Sequence, residues 1–208
     1  MSLFRTIVAD PPWPIKWTGG AARRTNGRKV VYWNSRFKTK LPYETMSIDA
    51  ICALPVGDMA DRDAHLYLWI PDQFLIAGDG ARVAAAWGFK PIRLLVWKKT
   101  GFGLGRFPRP QHEAVIVCKR GSLPFRVADV GSVQTWKMPY KRIVTASGRP
   151  GAARDHSRKP EELQDLVELA SHGPYLELFA RRARPGWSSW GDQVASDVTL
   201  PLPDQRLF

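Results

Sequence analysis

The stretch VADPPW at residues 8–13 decides the fold, because it marks where the first strand ends. The apolar run over residues 3–9 is typical of a buried strand. Proline has no N–H to give to a strand ladder, so this strand must stop at Asp10. A carboxylate, a carbonyl and an indole then lie at the carboxyl end of a strand, where open α/β sheets bind ligands. A plain surface turn is the alternative that a bare Asp-Pro-Pro favours.

Composition and charge narrow the class of protein. The chain has 208 residues, of which 44% are hydrophobic, and nine tryptophans, enough for one domain with a sizeable core. Its net charge of +12 indicates a polyanionic partner, with nucleic acid first and an anionic membrane second. The chain contains no basic amphipathic helix, no signal pattern and no metal-ligand spacing. We therefore expect an intracellular protein that binds neither a membrane nor a metal.

Strand and helix patterns alternate along the chain, which predicts an α/β fold. The mainly parallel sheet of such a fold is covered by helices on both faces. We expect strands over residues 3–9, 65–70, 89–97, 113–119 and 175–180, with a short strand at 30–33. We expect helices opening at an N-cap Ser47, spanning residues 73–87 with Gly88 after the C-cap, and beginning at Pro160.

Basic residues gather in the predicted loops. Most of the 31 lysines and arginines lie in residues 14–43, 97–112, 130–159 and 181–184. These segments follow predicted strands or precede helices, so most of them map to the sheet edge that holds Asp10. The first loop has no acidic residue and interleaves its charges with aromatic residues, a pattern suited to phosphate contacts and base stacking. A solvated loop is the alternative for that segment alone.

Two carboxylates suggest a chemistry for this edge. Asp10 and the Pro11 carbonyl offer two acceptors beside the Trp13 ring, which suits the exocyclic amine of adenine. Acceptors on both N–H groups would localise the lone pair of that poor nucleophile and aim it. Glu177 stands in the middle of an apolar strand, where a buried carboxylate needs a partner. That partner is either a ligand hydroxyl or ammonium group or a structural Lys or Arg.

Four motifs then occur in order: DPPW at 10–13, HSRKPEE at 156–162, ELFAR at 177–181, and Trp187 followed by WGDQ at 190–193. Together they resemble the DPPW-type adenine-N6 methyltransferases. This family includes the catalytic subunit of the eukaryotic messenger-RNA adenosine methyltransferase and many bacterial and phage proteins. The resemblance covers roughly residues 3–195.

The resemblance implies a Rossmann-like methyltransferase fold with permuted, beta-class motif order, in which the catalytic motif precedes the donor motif. It implies transfer of a methyl group from S-adenosyl-L-methionine to N6 of adenine in nucleic acid. We expect DNA, with relaxed or short-site specificity, and a cytoplasmic protein of bacterial or phage type. RNA adenosine methylation and a catalytically silent nucleic-acid-binding subunit are the alternatives. The oligomeric state is left open, with a homodimer as one candidate.

The resemblance also assigns residues. The amino-group site would comprise Asp10, Pro11, Pro12 and Trp13. The donor site would comprise Asp10, Lys159, Glu177, Leu178, Phe179, Arg181, Asp192 and Gln193. Trp97 would line the adenosine pocket, and the basic loops contribute the substrate contacts Arg23, Arg24, Arg28, Lys29, Lys98, Arg106 and Arg109. The domain is predicted over residues 1–196, with 14–43 as a basic substrate loop and 197–208 as a tail.

Two positions depart from the family pattern. Ala180 replaces a glycine, which we expect to narrow the backbone approach to the donor. Asp192 replaces an asparagine, which keeps an acceptor for ribose hydroxyls and adds a charge.

Overall fold

The computed structural model describes residues 3–15, 23–25, 28–30, 44–101, 108–144, 150–154 and 158–200. The strands are β1 (Phe4–Ala9), β2 (Arg23–Thr25), β3 (Arg28–Val30), β4 (Ala60–Ile70), β5 (Lys90–Lys98), β6 (His112–Arg120), β7 (Val133–Gln134), β8 (Tyr140–Val144), β9 (Pro150–Arg154), β10 (Tyr175–Leu178) and β11 (Trp187–Trp190). The helices are α1 (Ile48–Cys52), α2 (Val56–Met59), α3 (Asp72–Ile76), α4 (Asp79–Ala86) and α5 (Glu162–Ala170).

Seven strands form one sheet in the order β11-β10-β1-β4-β6-β5-β7. The neighbouring pairs are parallel except where β6 meets β4 and β5. Two further antiparallel hairpins, β2–β3 and β8–β9, lie outside this sheet. The predicted mainly parallel α/β fold is therefore confirmed.

Helices cover both faces of the sheet. One face of β1 turns Ile7 and Ala9 toward a core that includes Ile51 of α1 and Val83 of α4. The other face turns Val8 toward a core that includes Leu163 of α5. This alternation follows from the two-residue period of a strand, and it explains why β1 is buried almost throughout.

The direction of the strands gathers the segments that carry the predicted site residues at one edge of the sheet. β1, β4 and β10 end there with Asp10, Pro71 and Phe179 in the next positions. β6 runs the other way, so its first residue, His112, begins at the same edge. Prolines after β1 and β4 remove the N–H groups that would extend the ladder. The carboxyl ends of β5, β7 and β11 lie at the same edge, so all seven strands of the sheet contribute a chain segment to the edge predicted from the sequence.

Most predicted elements are confirmed, with shifted ends. Ser47 caps α1 by accepting a hydrogen bond from the Ala50 N–H at 3.1 Å. The helix predicted over 73–87 is wrong as one element: Gly78, with φ of 82°, separates α3 from α4. The helix predicted to begin at Pro160 starts two residues later, after a Glu161 cap.

The strand ends also differ from the prediction by several residues. β4 begins at Ala60 instead of residue 65, and β10 ends at Leu178 instead of residue 180. The short strand expected at 30–33 overlaps β3 only at Val30, and residues 31–33 lie outside the described residues.

The predicted domain boundary at residue 196 stays a prediction. Asp197 accepts a hydrogen bond from the Ser189 N–H of β11. Leu200 is buried in the core that contains Ile51 of α1 and Val83 of α4. Residues 201–208 lie outside the described part of the chain, as does most of the predicted loop 14–43. Within the described residues, no helix has the length and apolarity needed to cross a bilayer.

A buried network of polar side chains lies on the α5 side of the sheet, beside the core that contains Leu163. The Leu123 carbonyl can only accept, so His65 Nε2, 3.0 Å away, must carry the proton. His65 Nδ1 then accepts from the Ser171 hydroxyl at 2.9 Å, and Ser171 accepts from the Tyr67 hydroxyl at 2.8 Å. The network therefore needs a neutral imidazole, and burial lowers the pKa of His65 to about 4.

This network predicts acid sensitivity of the fold. A depressed histidine pKa stabilises the protein above the unfolded value of 6.5, and this contribution is lost as the pH falls toward 4. We expect a loss of about 3 kcal/mol in unfolding free energy over that range. Urea unfolding of wild type and His65→Gln at pH 7, 5.5 and 4.5 measures it. The variant should have a lower unfolding free energy at pH 7 but should lose less of it on acidification. Equal losses in the two proteins would contradict the assignment of the acid sensitivity to His65.

Candidate active site

Asp10 is held rigidly at the end of β1. The Pro11 carbonyl accepts a hydrogen bond from the Trp13 N–H at 2.8 Å, and the Pro12 carbonyl accepts one from the Met46 N–H at 2.8 Å. The Pro11 carbonyl therefore keeps one lone pair for a ligand. These bonds restrain the chain on the carboxyl side of Asp10 and so limit the positions of its carboxylate.

The Trp13 ring does not present the stacking face that the sequence suggests. It is 2% exposed, its Nε1 donates to the Trp69 carbonyl at 2.9 Å, and one face stacks on Phe74 at 5.3 Å between ring centroids. An indole after two prolines can turn back into the core as readily as outward. Trp13 therefore anchors the segment after Asp10 to the end of β4 and to α3.

A half-buried lysine joins two carboxylates at this edge. Lys159 Nζ lies 3.1 Å from Asp10 Oδ2 and 3.1 Å from Glu113 Oε2. Lys99 pairs with the other oxygen of Glu113. The Lys159 ammonium also lies 5.2 Å from the centroid of the Trp69 ring, within cation–π range. Two lysines and two carboxylates therefore alternate in one chain of contacts.

The pKa shifts agree with this pairing. Burial alone would raise the pKa of Glu113, but Lys159 and Lys99 lower it below its usual value. Burial alone would lower the pKa of Lys159, but Asp10 and Glu113 raise it. Lys159 thus remains an ammonium group at neutral pH, and its charge is shared between two acceptors.

A cavity of about 300 Å³ opens beside Lys159. Its walls come from β1, β4, β10, α5 and the turns that follow β10 and β11. The lining residues are Val8, Asp10, Trp69, Arg158, Lys159, Gln164, Glu177, Phe179, Arg181, Arg182 and Gln193. The volume lies at the lower end of the range for small-molecule sites.

Glu177 is the second carboxylate on the cavity wall. Burial raises its pKa to about 7, the Gln164 amide opposes this by donating a hydrogen bond, and the nearby Asp10 raises it further. Among the described residues, Glu177 has no salt bridge to a lysine or arginine. The structural lysine or arginine that the sequence analysis kept as one possible partner of Glu177 is therefore not found in the described part of the chain.

The turn after β10 is tightly built. Phe179 has φ of 61°, a left-handed conformation that costs a non-glycine residue about 1–3 kcal/mol. The Ala180 N–H donates to the Trp190 carbonyl at 2.9 Å, and a side chain on Gly191 would collide with the Ala180 backbone. Ala180 is fully buried and does not line the cavity, so its methyl group leaves the cavity width unchanged.

The structure brings six predicted site residues to the cavity: Asp10, Lys159, Glu177, Phe179, Arg181 and Gln193. Leu178 faces the opposite core, because neighbouring strand residues alternate between faces. Asp192 is exposed beside Gln193 without lining the cavity. The roles assigned to all these residues stay predictions.

The predicted substrate residues are placed less completely. Trp97 is 1% exposed and packs edge-on behind Trp69, so Trp69 is the ring on the cavity wall. Lys98 and Arg109 are exposed near the same edge. Arg106 lies outside the described residues, as do the side chains of Arg23, Arg24, Arg28 and Lys29, whose backbone forms β2 and β3.

Sequence reasoning missed the Glu113 carboxylate beside Lys159 and five residues that line the cavity: Val8, Trp69, Arg158, Gln164 and Arg182. Glu113 was not singled out, because it is the first residue of an apolar strand pattern. An acidic residue in such a pattern, like Glu177, needs a partner, and this was the available signal. Gln164 follows Leu163 on the apolar side of α5, and a polar residue in that position was the available signal. Trp69 carried no signal that distinguished it from the other tryptophans.

Comparison with known proteins agrees with this architecture. The MT-A70 family profile matches residues 4–193. The chain is 29% identical to the N6-methyladenosine RNA methyltransferase MTA1 of Cryphonectria parasitica, over 92% of this chain and 52% of that protein. It is 29% identical to the human N(6)-adenine-specific methyltransferase METTL4, over 92% of this chain and 37% of that protein.

A third relative is nearer in size. The type II methyltransferase M.MunI of Mycoplasma sp. is 24% identical over 97% of this chain and 82% of its own length. The chain thus spans about half or less of the first two relatives and most of the third. The family profile covers the cavity residues from Asp10 to Gln193, and it confirms the resemblance that the four motifs suggested. The chain belongs to the MT-A70 family.

Proposed function

We propose that this protein transfers a methyl group from S-adenosyl-L-methionine to N6 of adenine in a nucleic acid. One observation carries the proposal: Asp10, Lys159 and Glu177 converge on a single cavity at the carboxyl edge of the sheet. The family supports methyl transfer, and the names of relatives support adenine as the target.

The residues around the cavity fit such a donor. Its amino-acid carboxylate needs a cation, which Lys159 can provide, and its ammonium and ribose hydroxyls need acceptors, which Glu177 and Gln193 can provide. A half-buried carboxylate such as Glu177, which has no salt bridge among the described residues, is a group that such a ligand would complete. When bound, the donor supplies an electrophilic methyl group; the protein supplies binding and orientation.

Asp10 is assigned to the target amine. As a carboxylate it accepts a hydrogen bond from the N6 amino group, and the Pro11 carbonyl has a lone pair for the second N–H. Both bonds draw the nitrogen lone pair out of conjugation and stabilise the positive charge that develops on nitrogen. Lys159 keeps Asp10 in place, because the two groups are 3.1 Å apart.

DNA is the favoured substrate, with relaxed or short-site recognition. The net charge of +12 and the exposed Lys98 and Arg109 support a phosphate contact surface. M.MunI, the relative matched over most of its length, is named a type II methyltransferase, which supports DNA. RNA is the second candidate, favoured by the name of the fungal relative. A catalytically silent nucleic-acid-binding subunit is the third.

Asp10→Asn should reduce methyl transfer about 100-fold or more, because it removes the charge that stabilises the developing cation. Transfer of labelled methyl groups to double-stranded DNA, single-stranded DNA and RNA, followed by nucleoside mass spectrometry, measures the activity and the preferred substrate. Asp58→Asn is the control, because exposed Asp58 precedes β4 and lies at the other edge of the sheet. Transfer by wild type equal to that by Asp10→Asn would overturn the proposal.

Binding of S-adenosylhomocysteine should release a proton near neutral pH. Glu177 has a pKa of about 7 in the free protein, and a cationic ligand favours its charged form. Affinity should therefore fall up to about tenfold per pH unit below 7. Calorimetry in two buffers of different ionisation enthalpy measures the proton count.

Glu177→Gln should weaken this binding and remove its pH dependence. The variant should also unfold at higher temperature than wild type at pH 8, because a raised carboxyl pKa destabilises the fold as pH rises through 7. Unchanged pH dependence in the variant would contradict the role given to Glu177.

Nucleic-acid binding should weaken with salt, and Lys98→Ala should reduce the slope of log K against log salt by about 1. Lys90→Ala is the matched control, since both lysines are exposed and stand at opposite ends of β5. Fluorescence anisotropy of a labelled duplex measures both. Equal slopes for the two variants would show that Lys98 is not part of the phosphate contact surface.

A further inference from the structure

Two neighbouring lysines at the end of β5 have different surroundings. Lys98 is exposed, whereas only 14% of the Lys99 side chain is exposed. The Lys99 N–H donates to the Gln111 carbonyl at 2.7 Å, and its ammonium group lies 5.1 Å from the centroid of the Trp97 ring. Lysine is seldom covered to this extent unless its charge is paired, so the partner of Lys99 indicates its role.

The partner of Lys99 is the Glu113 carboxylate. Lys99 Nζ contacts Glu113 Oε1, while Lys159 Nζ lies 3.1 Å from Glu113 Oε2 and 3.1 Å from Asp10 Oδ2. The four groups form one ion-pair chain, Lys99–Glu113–Lys159–Asp10, in which two ammonium groups balance two carboxylates. Lys99 is its most covered member, and Asp10 stands at the other end.

The other charged side chains around this edge do not take the place of Lys99. Several of them pair elsewhere: His112 with Asp72, Arg158 and Arg182 with Glu161, and Arg184 with Asp165 and Glu168. Glu177 and Arg181 line the cavity, whereas Glu113 and Lys99 do not. Among the described residues, Lys159 and Lys99 are the charged groups that lower the pKa of Glu113.

The charge balance of the ion-pair chain bears on Asp10. Without Lys99, one ammonium group would lie between two carboxylates in a half-buried place. Their repulsion would be relieved by a proton on one carboxylate, or by one of them turning away from Lys159. Either change disturbs Asp10. A covered ion pair adds little net stability compared with apolar packing, so geometry explains the presence of Lys99 better than stability does.

We propose that Lys99 is a positioning residue for methyl transfer, which acts through Glu113 and Lys159 to keep Asp10 ionised and aimed at the target amine. This inference rests on the proposed function, which assigns Asp10 to that amine. Because neither Lys99 nor Glu113 lines the cavity, the effect should fall on the rate of transfer and not on the binding of either substrate.

Lys99→Met removes the ammonium group and keeps an unbranched side chain beside Trp97. With the nucleic acid that wild type methylates, kcat should fall about tenfold or more, while KM for S-adenosyl-L-methionine and for the nucleic acid stays within about threefold. Lys99→Arg keeps the charge and should retain kcat within about threefold. Lys90→Met, at the other end of β5, is the matched control and should change neither constant.

A double-mutant cycle tests the route through Glu113. Glu113→Gln removes the carboxylate that Lys99 and Lys159 share, and it should also lower kcat. The double variant of Lys99→Met and Glu113→Gln is again balanced, with the Lys159 ammonium facing the Asp10 carboxylate. Its kcat should therefore be no lower than that of Glu113→Gln within about twofold, because residues of one network are not additive.

Four results would overturn the inference: an unchanged kcat in Lys99→Met, a change confined to KM, multiplied losses in the double variant, or a Lys99→Arg protein as slow as Lys99→Met. A wild type that transfers no methyl group would overturn the proposed function, and the inference with it. Lys99→Gln covers a Lys99→Met protein that fails to fold. It keeps an N–H donor for Glu113 without the charge, so kcat should still fall at least about threefold, and full activity would also overturn the inference.

Discussion

The shared ammonium of Lys159 is the interaction on which the site depends. It joins Asp10 after β1, Glu113 at the start of β6 and the segment that leads into α5. Burying charges costs free energy, and a buried pair adds little net stability compared with apolar packing. Losing one partner, however, leaves an uncompensated charge, so the three segments hold one another in a definite arrangement. The arrangement therefore contributes specificity of geometry more than stability.

The strand pattern explains why this arrangement forms where it does. Val8 and Glu177 pair across β1 and β10, and both line the cavity on the α5 side of the sheet. Leu178, one residue further, faces the opposite core with Ile7 and Ala9. A shift of one residue between β1 and β10 would exchange the two sets. Glu177 would then lie under α1 and α4, away from Lys159.

The sequence was sufficient for the parts of the site that strand ends and local motifs specify. Asp10 follows from the prolines that stop β1, and Lys159 and Glu177 follow from motif order. The orientation of Trp13 could not be predicted, because its inward turn depends on Phe74 and the Trp69 carbonyl, which are distant in sequence. Glu113 escaped notice for the same reason, since its partners Lys99 and Lys159 meet it only in the folded sheet.

Gly191 sets a limit on how this site can be altered. Its hydrogen atom faces the Ala180 backbone, where a methyl group would not fit, and Phe179 beside it is already held in a left-handed conformation. The turns after β10 and β11 therefore cannot move closer together along this wall of the cavity. Enlarging the cavity for a bulkier ligand has to begin at another wall, such as the side chains of Val8 or Gln164. Backbone rearrangement between β10 and β11 would first have to break the hydrogen bond from the Ala180 N–H to the Trp190 carbonyl.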